Sequence, residues 1–458
     1  MRYVATVAET RAADSVAAER VGEAALIARA SYGVAVECAR TLGGVYGARV
    51  CVLAGSGHNA ADALGAARWL VRWGASAVVV RSSGRDGDDL WRSAAAGLPV
   101  VADVPACDLV IDGMTGVGFS GVLRDRAAAL VESVPADALV VAVDVPSGVD
   151  ADTGAVDGPA VRADVTVTFD RLKAGHVVGA GAERSGSVVV VPVGLDFPAA
   201  LPVAVPDADD FLPLVETPGA HADKYTRGVV GVVAGSERYP GAAVLCTGGA
   251  VRAGAGYVRY EGHAADAVRA AWPTVVVGEG RVDAYVCGSG APGEEEVRRV
   301  VSSDVAAVLD AGALSLGAGA LRGRKAPTLI TPHAGEFERL TGVDPAGDPL
   351  GAARRAAADL GVHVLLKGQH TVVAAPDGRA LVNPTGSTWL STAGTGDVLA
   401  GAAGALLAAA VKRGDPDVLL VGAGAAFLHG LAGSLTRVPL AASDLLDSWA
   451  DAVAAVRR

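Results

Sequence analysis

Aromatic residues, paired cysteines and basic clusters are what this 458-residue sequence has least of. Aromatic side chains make up only 4% of the chain although hydrophobic residues make up 51%. The core must therefore be built mainly from Ala, Val and Leu. The five cysteines are scattered and form no C-x-x-C pair, which favours reduced thiols packed as small hydrophobic side chains in a cytoplasmic protein.

Positive charge is also in deficit. The chain has 39 Lys and Arg against 50 Asp and Glu, which gives a formal net charge of −11. This balance argues against a nucleic-acid partner and against an anionic membrane surface. The opening stretch "MRYVATVAETRAADS" is charged throughout and has no apolar core, so we expect no secretory signal. We also expect no transmembrane segment.

Short Val-rich runs alternate with Ala-rich stretches along the chain. Continuous apolar strands separated by helical stretches are typical of parallel sheets covered on both faces, so the predicted class is α/β. The pattern lapses in the proline-rich stretch 197–228. We therefore predict one domain over 1–207, a linker over 208–217 and a second domain over 218–458. The predicted strands lie within 48–55, 75–81, 107–113, 138–148, 163–169, 228–236, 284–290, 306–312, 327–333 and 362–368.

One carboxylate stands at the start of an uncharged run. In "STAGTGDVLAGAAGALLAAAV" (391–411), Gly394 and Gly396 precede Asp397, and the run from 398 to 411 predicts a buried helix. Glycines at a helix N-terminus form a site suited to phosphate or an oxyanion, and Asp397 could take a proton from a substrate hydroxyl. The alternative is that Asp397 only caps the helix.

Further polar residues follow the predicted strands of the C-terminal half, where ligands bind in open α/β sheets. His333 and Glu336 lie in "ITPHAGEFERL", and Lys367 lies in "LLKGQHTVV". Taken singly, each is better explained as a half-buried histidine, a first-turn acid or a solvated strand-end charge.

The order of these motifs changes that weighing. "AGSERYPGAA", "TPHAGEFERL", "LKGQHTVV", "NPTG" and "AGTGDVLAG" together resemble the ADP- or ATP-dependent NAD(P)H-hydrate dehydratases, which have a ribokinase-like fold. The resemblance covers the whole C-terminal half and implies that Asp397 is the general base and a substrate contact. It implies nucleotide binding by Lys367, Gly368, Gln369, His370, Thr371 and Gly396. It implies substrate binding by Ala243, Gly290 and His333. The family's "GPGLG" loop reads "GSGAP" here, with Ser289 for the proline.

Three strand ends of the N-terminal half carry oxygen-bearing side chains. Asn59 lies in "LAGSGHNAADALGAARWL", Asp112 in "VIDGMTGVGFSG" and Ser147 in "VVAVDVPSGVDADTG". A ligand set made only of oxygen suits alkali or alkaline-earth ions better than zinc.

This set resembles the NAD(P)H-hydrate epimerases, whose domain is Rossmann-like and three-layered. The resemblance implies potassium binding by Asn59, Asp112 and Ser147, and an acid/base role for Asp144. Lys173 also matches a family position, with a solvated charge as the alternative. The loop implied to hold the hydrate comprises His58, Asn59, Ala60, Ala61 and Asp62. The second implied hydrate loop comprises Gly116, Val117, Gly118, Phe119, Ser120, Gly121 and Val122, together with Asp144. The family's "GPGNNGGDG" reads "GSGHNAADA" here, so His58 replaces Asn and Ala60 and Ala61 replace glycines.

These resemblances predict a bifunctional metabolite-repair enzyme. One half would epimerise the R and S hydrates of NADH and NADPH, and the other would dehydrate the S form at the expense of ADP or ATP, with ADP preferred. The alternatives are a ribokinase-like vitamin or sugar kinase, and a dehydratase or dinucleotide-binding regulator with an inactive N-terminal domain. The expected cofactors are the nucleotide, Mg²⁺ and K⁺. The expected partners are small-molecule substrates, with neither nucleic acid nor membrane, and the family type is compatible with a homo-oligomer.

Overall fold

The chain folds into two compact units. The computed structural model describes residues 1–83, 87–414 and 416–458. One unit comprises Arg2–Leu201, and the other comprises Pro202–Arg458 together with Met1.

The boundary differs from the predicted one. Residues 202–217, expected to end the first domain and to form a linker, belong to the C-terminal unit. Val203–Val205 pairs as a strand with Ala380–Val382. Phe211 is fully buried, with its ring centroid 4.9 Å from that of Phe427. The elements here are too short to produce a periodic pattern, which is why the sequence resembles a linker.

The N-terminal unit contains a parallel sheet. The strand order is β4-β3-β2-β5-β6-β7-β8, and every neighbouring pair is parallel. The strands of this unit are β1 (Arg2–Val4), β2 (Arg49–Ala54), β3 (Ser76–Arg81), β4 (Val100–Val101), β5 (Leu109–Gly113), β6 (Leu139–Val143), β7 (Val165–Phe169) and β8 (Ser187–Val191). Its helices are α1 (Val7–Val21), α2 (Glu23–Leu42), α3 (His58–Arg72), α4 (Asp89–Ala95), α5 (Asp125–Glu132) and α6 (Gly179–Ser185).

The C-terminal unit has a larger, mixed sheet. Its strands follow the order β9-β18-β17-β16-β15-β14-β13-β10-β11-β12. The strands are β9 (Val203–Val205), β10 (Val229–Val233), β11 (Tyr257–Tyr260), β12 (Val276–Val277), β13 (Ala284–Cys287), β14 (Ala306–Leu309), β15 (Thr328–Ile330), β16 (His363–Leu366), β17 (Val372–Ala374) and β18 (Ala380–Val382). The helices are α7 (Pro240–Arg252), α8 (Ala265–Ala271), α9 (Glu294–Val301), α10 (Ala318–Arg322), α11 (Ala334–Thr341), α12 (Pro349–Leu360), α13 (Thr395–Arg413), α14 (Val418–Leu435) and α15 (Ala442–Val456).

The α/β class is confirmed, and each Val-rich segment predicted as a strand contains one. The expectation of purely parallel sheets fails at β16–β17 and β17–β18, which are antiparallel. A tight turn joins β17 to β18, where Ala375 N–H donates to the carbonyl of Arg379 over 2.8 Å and Gly378 has a φ of 89°. A connection this short can join only antiparallel neighbours.

Helix α13 packs closely against α7 and the sheet through glycines. A Cβ built on Gly401 would lie 1.9 Å from the carbonyl oxygen of Cys246, and one on Gly404 would lie 2.0 Å from Val286. A Cβ on Gly249 of α7 would lie 2.3 Å from the carbonyl oxygen of Val398. These glycines bring the two backbones together and fix the start of α13 at the carboxyl edge of the sheet.

By length and composition alone, two helices contradict the expectation that no segment could span a membrane. Helices Thr395–Arg413 and Val418–Leu435 are long and apolar enough to do so. The run 398–411 looked too short because α13 extends beyond it at both ends. In the structure 72% of the most apolar stretch of the first helix and 78% of that of the second are buried, as in the core helices of a folded domain.

Candidate functional site

A cavity of about 420 Å³ opens within the C-terminal unit, beyond the carboxyl ends of β15 and β16 and beside the N-terminus of α13. Its wall combines a cation, small residues and hydroxyl groups, which suits a phosphorylated ligand. The lining residues are His333, Lys367, Gly368, Gln369, Thr371, Asn383, Thr385, Gly386, Ser387, Thr388, Leu390, Ser391, Thr395, Gly396, Leu399, Ala426, His429 and Gly430.

An ion pair lies at the sheet edge of this cavity. Lys367 follows β16 and Asp310 follows β14, and Lys367 Nζ lies 2.8 Å from Asp310 Oδ1. Thr331 Oγ1 donates to the same oxygen over 2.8 Å, and Ser289 Oγ donates to Asp310 Oδ2 over 3.1 Å. Ser289, which replaces the family's proline, therefore anchors its loop to the buried acid. The pair holds Lys367 with its ammonium beside Gly396, where an added Cβ would lie 3.5 Å from Nζ.

Asp397 lies in the first turn of α13 and does not cap it. The helix begins at Thr395, and its N-cap is Gly394, which has a φ of 94° and no side chain to cap with. Burial and the charge of Asp310 raise the pKa of Asp397 to about 6, although a hydrogen bond with Ser289 and the charge of Lys367 partly oppose this. A carboxyl group with this pKa is a competent base near neutral pH. The capping alternative for Asp397 is therefore wrong.

The predicted nucleotide residues gather at one wall. Lys367, Gly368, Gln369, Thr371 and Gly396 line the cavity. Thr371 Oγ1 donates to the carbonyl of Gly368 over 3.0 Å and so closes the turn after β16. His370 belongs to the same turn but is not among the lining residues.

The residues predicted to bind the substrate in this half do not all line the cavity. His333 lines the cavity and caps α11, with Nδ1 accepting from Gly335 N–H over 3.1 Å. Gly290 adopts a φ of 70°, and a Cβ there would lie 2.5 Å from Ala242. Ala243 is 0% exposed and packs beneath the Gly235 turn, so its side chain is not on the cavity wall.

Several site residues were not identified from the sequence. Asp310 follows a strand in "AAVLDAG", and its position at a strand end was the signal that could have identified it. Asn383 and Thr385 line the cavity. His429 lies in the middle of α14, where its Nε2 is 3.0 Å from the carbonyl oxygen of Thr395. Burial lowers the pKa of His429 to about 4. Nothing in the apolar sequence around His429 indicates that it is a site residue.

The N-terminal unit has a cavity of its own, of about 440 Å³. It lies beyond the carboxyl ends of β5 and β6 and is covered by α1 and α2. The lining residues are Thr10, Arg11, Asp14, Glu23, Leu26, Ile27, Ala30, Gly57, His58, Asn59, Ala60, Asp62, Met114, Thr115, Gly116, Val117, Gly118, Asp144, Phe169, Lys173, Val193 and Leu195. The contribution of α1 and α2, including Arg11 and Asp14, was not expected from the sequence.

Asp144 and Lys173 form a buried ion pair in this cavity. Lys173 Nζ lies 2.9 Å from Asp144 Oδ1, and its side chain is 1% exposed. Thr168 Oγ1 donates to the same carboxylate oxygen over 2.9 Å. Burial opposes ionisation of Asp144, but the charge and hydrogen bond of Lys173, the charge of His176 and the hydrogen bond from Thr168 together outweigh it, and the pKa is lowered. The alternative of a solvated charge for Lys173 is therefore wrong, and Asp144 is held ionised, with a strained φ of 64°.

The three side chains expected to bind potassium lie around one turn. Ser147 Oγ donates to Asp112 Oδ1 over 2.7 Å and accepts from Thr115 N–H over 2.9 Å. Asn59 Nδ2 donates to the carbonyl of Thr115. Within the described ranges, no group of three His, Cys, Asp or Glu side chains could hold a metal ion. The set offers amide, hydroxyl and carboxylate oxygens with a single acid, which fits a monovalent hard cation.

The two segments expected to hold the hydrate are only partly as predicted. His58–Asp62 is the start of α3 and not a loop, so Ala60 and Ala61 have helical backbones that alanine adopts without strain. Gly116, Val117 and Gly118 line the cavity, whereas Phe119, Ser120, Gly121 and Val122 are not among its lining residues. Ala61 is fully buried and also off the wall. His58, which replaces the family's asparagine, lies 3.2 Å from Asp88.

Comparison with known proteins assigns both halves. Residues 230–450 match the family model described as NAD(P)H-hydrate dehydratase, and residues 23–175 match the model described as YjeF-related protein N-terminus. A ribokinase-like superfamily protein from Enterococcus faecalis covers 57% of this chain and 99% of its own at 20% identity, with a TM-score of 0.50, which supports the ribokinase-like fold.

Relatives match this chain across both units. A bifunctional NAD(P)H-hydrate repair enzyme from Mycobacterium tuberculosis is 45% identical over 91% of this chain and 91% of its own. The enzyme of that name from Mycobacterium leprae is 42% identical over 100% of both chains. Since the similarity spans both units at this identity, the predicted family is confirmed: the chain belongs to the bifunctional NAD(P)H-hydrate repair enzymes.

Proposed function

We propose that this protein restores hydrated NADH and NADPH in two steps. The N-terminal unit interconverts the R and S hydrates, and the C-terminal unit dehydrates the S hydrate at the expense of ADP or ATP. The observation that carries the proposal is Asp397. It combines a pKa of about 6 with a position one residue after Gly396, which faces Lys367 at the cavity wall.

In the dehydratase step Asp397 takes the proton of the hydrate's hydroxyl group. The hydroxyl oxygen can then accept a phosphoryl group from the nucleotide. Loss of that phosphate with its bonding pair, together with loss of a proton from the adjacent ring carbon, restores the double bond. Lys367, Gly368, Gln369, Thr371 and Gly396 hold the nucleotide phosphates through the ammonium and backbone N–H groups. His370 is proposed as a further nucleotide contact from the same turn. Bound Mg²⁺ would neutralise phosphate charge.

The substrate of this step is proposed to lie against His333, Gly290, Ala243 and Asp397. Gly290 and Ala243 lie against the Gly235 turn, since a Cβ built on Gly290 would meet Ala242 and Gly235, and one built on Gly235 would meet Ala243. The ionised pair of Asp310 and Lys367 keeps the cation at the phosphate end of the site.

In the epimerase step Asp144 acts on the hydrate as acid/base, and potassium is proposed at Asn59, Asp112 and Ser147. Bound potassium would contribute a fixed positive charge. Asp112 is fully buried and both of its carboxylate oxygens accept hydrogen bonds from the Ser147 residue. The residues proposed to hold the hydrate are His58–Asp62 and Gly116–Val122, with Asp144.

Composition and family type support the remaining assignments. We propose small-molecule substrates only, with neither nucleic acid nor membrane as partner, in keeping with the net charge of −11. The five cysteines are free and buried, which is compatible with a cytoplasmic location. A homo-oligomer is proposed from the family type.

The test follows NADPH absorbance when the purified protein meets a mixture of R and S hydrates with Mg²⁺ and either ADP or ATP. Complete recovery of NADPH in potassium is expected, with slower recovery of the R fraction in sodium. Recovery that stops at the S fraction would mean that the N-terminal unit is inactive. A stable phosphorylated product without NADPH would instead identify a kinase.

A further inference from the structure

Asp62 is a buried acid in the N-terminal unit. It lies on α3, its residue is 8% exposed, and it lines the cavity. Its Oδ1 is buried and has no hydrogen-bond partner among the residues that the structure describes. Buried carboxyl oxygens are normally paired, so an unpaired one on a residue that lines a cavity indicates a side chain that meets a ligand.

Burial and neighbouring charges favour opposite protonation states for Asp62 and Asp144. Burial raises the pKa of Asp62 well above its ordinary value, and the charges of Asp144 and Asp14 raise it further. Asp144, by contrast, is held ionised by Lys173. In one cavity the surroundings therefore favour the protonated form of Asp62 and the ionised form of Asp144, an arrangement that divides acid and base roles between two similar side chains. The charged or titratable side chains that line the cavity with Asp62 are Arg11 and Asp14 on α1, Glu23 on α2, His58 on α3, Asp144 after β6, and Lys173.

The substrate needs such a pair. Water adds to the enamine double bond of a dihydronicotinamide at the carbon next to nitrogen, so a hydrate is a carbinolamine. Inversion at that carbon requires a bond to it to break and form again. Ring opening does this when a base takes the hydroxyl proton while an acid protonates the ring nitrogen.

We propose that Asp62 is the proton donor of the epimerase half and works opposite the Asp144 carboxylate. The proposal rests on the proposed epimerase function. Asp144 takes the hydroxyl proton, the oxygen's electron pair forms a carbonyl, and the carbon–nitrogen bond breaks with its pair going to nitrogen. Asp62 gives nitrogen its proton. Rotation about the adjacent carbon–carbon bond and reversal of these steps close the ring on the other face and return both protons.

The experiment isolates epimerisation by omitting nucleotide, so that no hydrate is consumed. The full-length protein, in potassium, is mixed with hydrate enriched in one epimer, and the approach to the equilibrium R to S ratio is followed by chromatography and corrected for the rate in buffer. The variants are Asp62→Asn, which keeps the shape but not the acid, and Asp62→Glu, which keeps the acid. Asp152→Asn is the matched control, because Asp152 is exposed and its oxygen accepts from Val7 N–H at the start of α1, a bond that asparagine preserves.

We expect Asp62→Asn to slow epimerisation about 100-fold or more, the usual contribution of a positioned acid. Asp62→Glu should retain more activity than Asp62→Asn, and Asp152→Asn should stay within about 2-fold of the wild type. The wild-type rate should fall on the alkaline side as Asp62 loses its proton, and Asp62→Asn should lack this fall. Amide hydrogen exchange of β2 and β5 checks that the unit remains folded.

An Asp62→Asn rate near that of the wild type would contradict the role of Asp62, and so would a slower rate with an unchanged pH profile. Neither result would affect the proposed epimerase function. If the wild type does not change the epimer ratio, the proposed epimerase function fails and this role fails with it. If Asp62→Asn loses its exchange protection, the wild-type pH profile and Asp62→Glu decide. A wild-type rate without an alkaline fall then contradicts the proposal.

Discussion

At the scale of the residue, the raised pKa of Asp397 links catalytic activity to a lower stability of the folded protein. Its carboxyl group has a pKa of about 6 in the folded protein against an ordinary value of 3.8. As the pH rises through this window, the unfolded chain releases the proton first, so the folded state loses stability and does not regain it above pH 6. The desolvation that makes Asp397 a base near neutrality therefore destabilises the native state under working conditions.

Replacing Asp397 by Asn separates these effects. We expect Asp397→Asn to reduce dehydration by at least about 100-fold, since the hydroxyl proton has no acceptor. Thermal unfolding near neutral pH should shift upward by roughly 2–4 °C, the change that about 1 kcal/mol produces in a unit of this size. Wild-type dehydration should fall as the pH drops through about 6. Asp359→Asn, on an exposed face of α12 and paired with Arg322, is the control and should change neither activity nor pH profile. Full dehydratase activity of Asp397→Asn would remove Asp397 from the mechanism.

At the scale of the element, the contact between α7 and α13 positions that carboxylate. Both helices are rich in glycine and alanine, and the carbonyl of Cys246 approaches Gly401 too closely for any side chain. Small residues let the helix backbones come together, so the start of α13 is held by backbone packing and not by long side chains. Loss of this close approach would move the amide groups of the first turn away from the cavity.

Gly401→Ala tests this contact, because helix propensity and packing predict opposite effects of this substitution on stability. In an unconstrained helix alanine is preferred over glycine by about 1 kcal/mol. At Gly401 the added methyl group meets backbone at 1.9 Å, and overpacking should destabilise the unit by about 1–3 kcal/mol. Gly319→Ala on α10 is the control, because a Cβ there meets nothing within 4 Å, and it should be neutral or stabilising. Thermal unfolding measures both variants, and equal midpoints would contradict the packing argument.

At the scale of the whole molecule, the two units contain complete cavities of their own. The dehydratase cavity is lined only by residues from 333 to 430, and the N-terminal cavity only by residues from 10 to 195. Each falls within one compact unit. The steps of repair are therefore divided between units, and the intermediate hydrate is shared between them.

The boundary itself can be tested with fragments. A fragment of residues 202–458 should dehydrate the S hydrate at the rate of the whole chain and leave the R hydrate untouched. A fragment of residues 218–458, which begins at the predicted boundary, lacks β9 and Phe211. Since Phe211 is fully buried, its removal alone should cost about 3–5 kcal/mol. Thermal unfolding compares the two fragments, and equal stability would contradict the observed boundary.

The sequence by itself determined ten of the strands, the polar residues at their ends and the glycine-flanked carboxylate of α13. These are local properties, because an apolar run or a strand-end residue can be recognised from a few consecutive positions. The ordered motifs also indicated the family, which the full-length relatives confirm.

Only the tertiary structure decided which of these residues meet. Asp310 and Lys367 pair because β14, β15 and β16 are neighbours with parallel carboxyl ends. His429 reaches Thr395 from the middle of another helix, and α1 and α2 cover a cavity built by strands far along the chain. The short strand β9 joins the second unit through a partner near residue 380. Such contacts depend on strand order and helix packing between distant residues, and no local pattern encodes them.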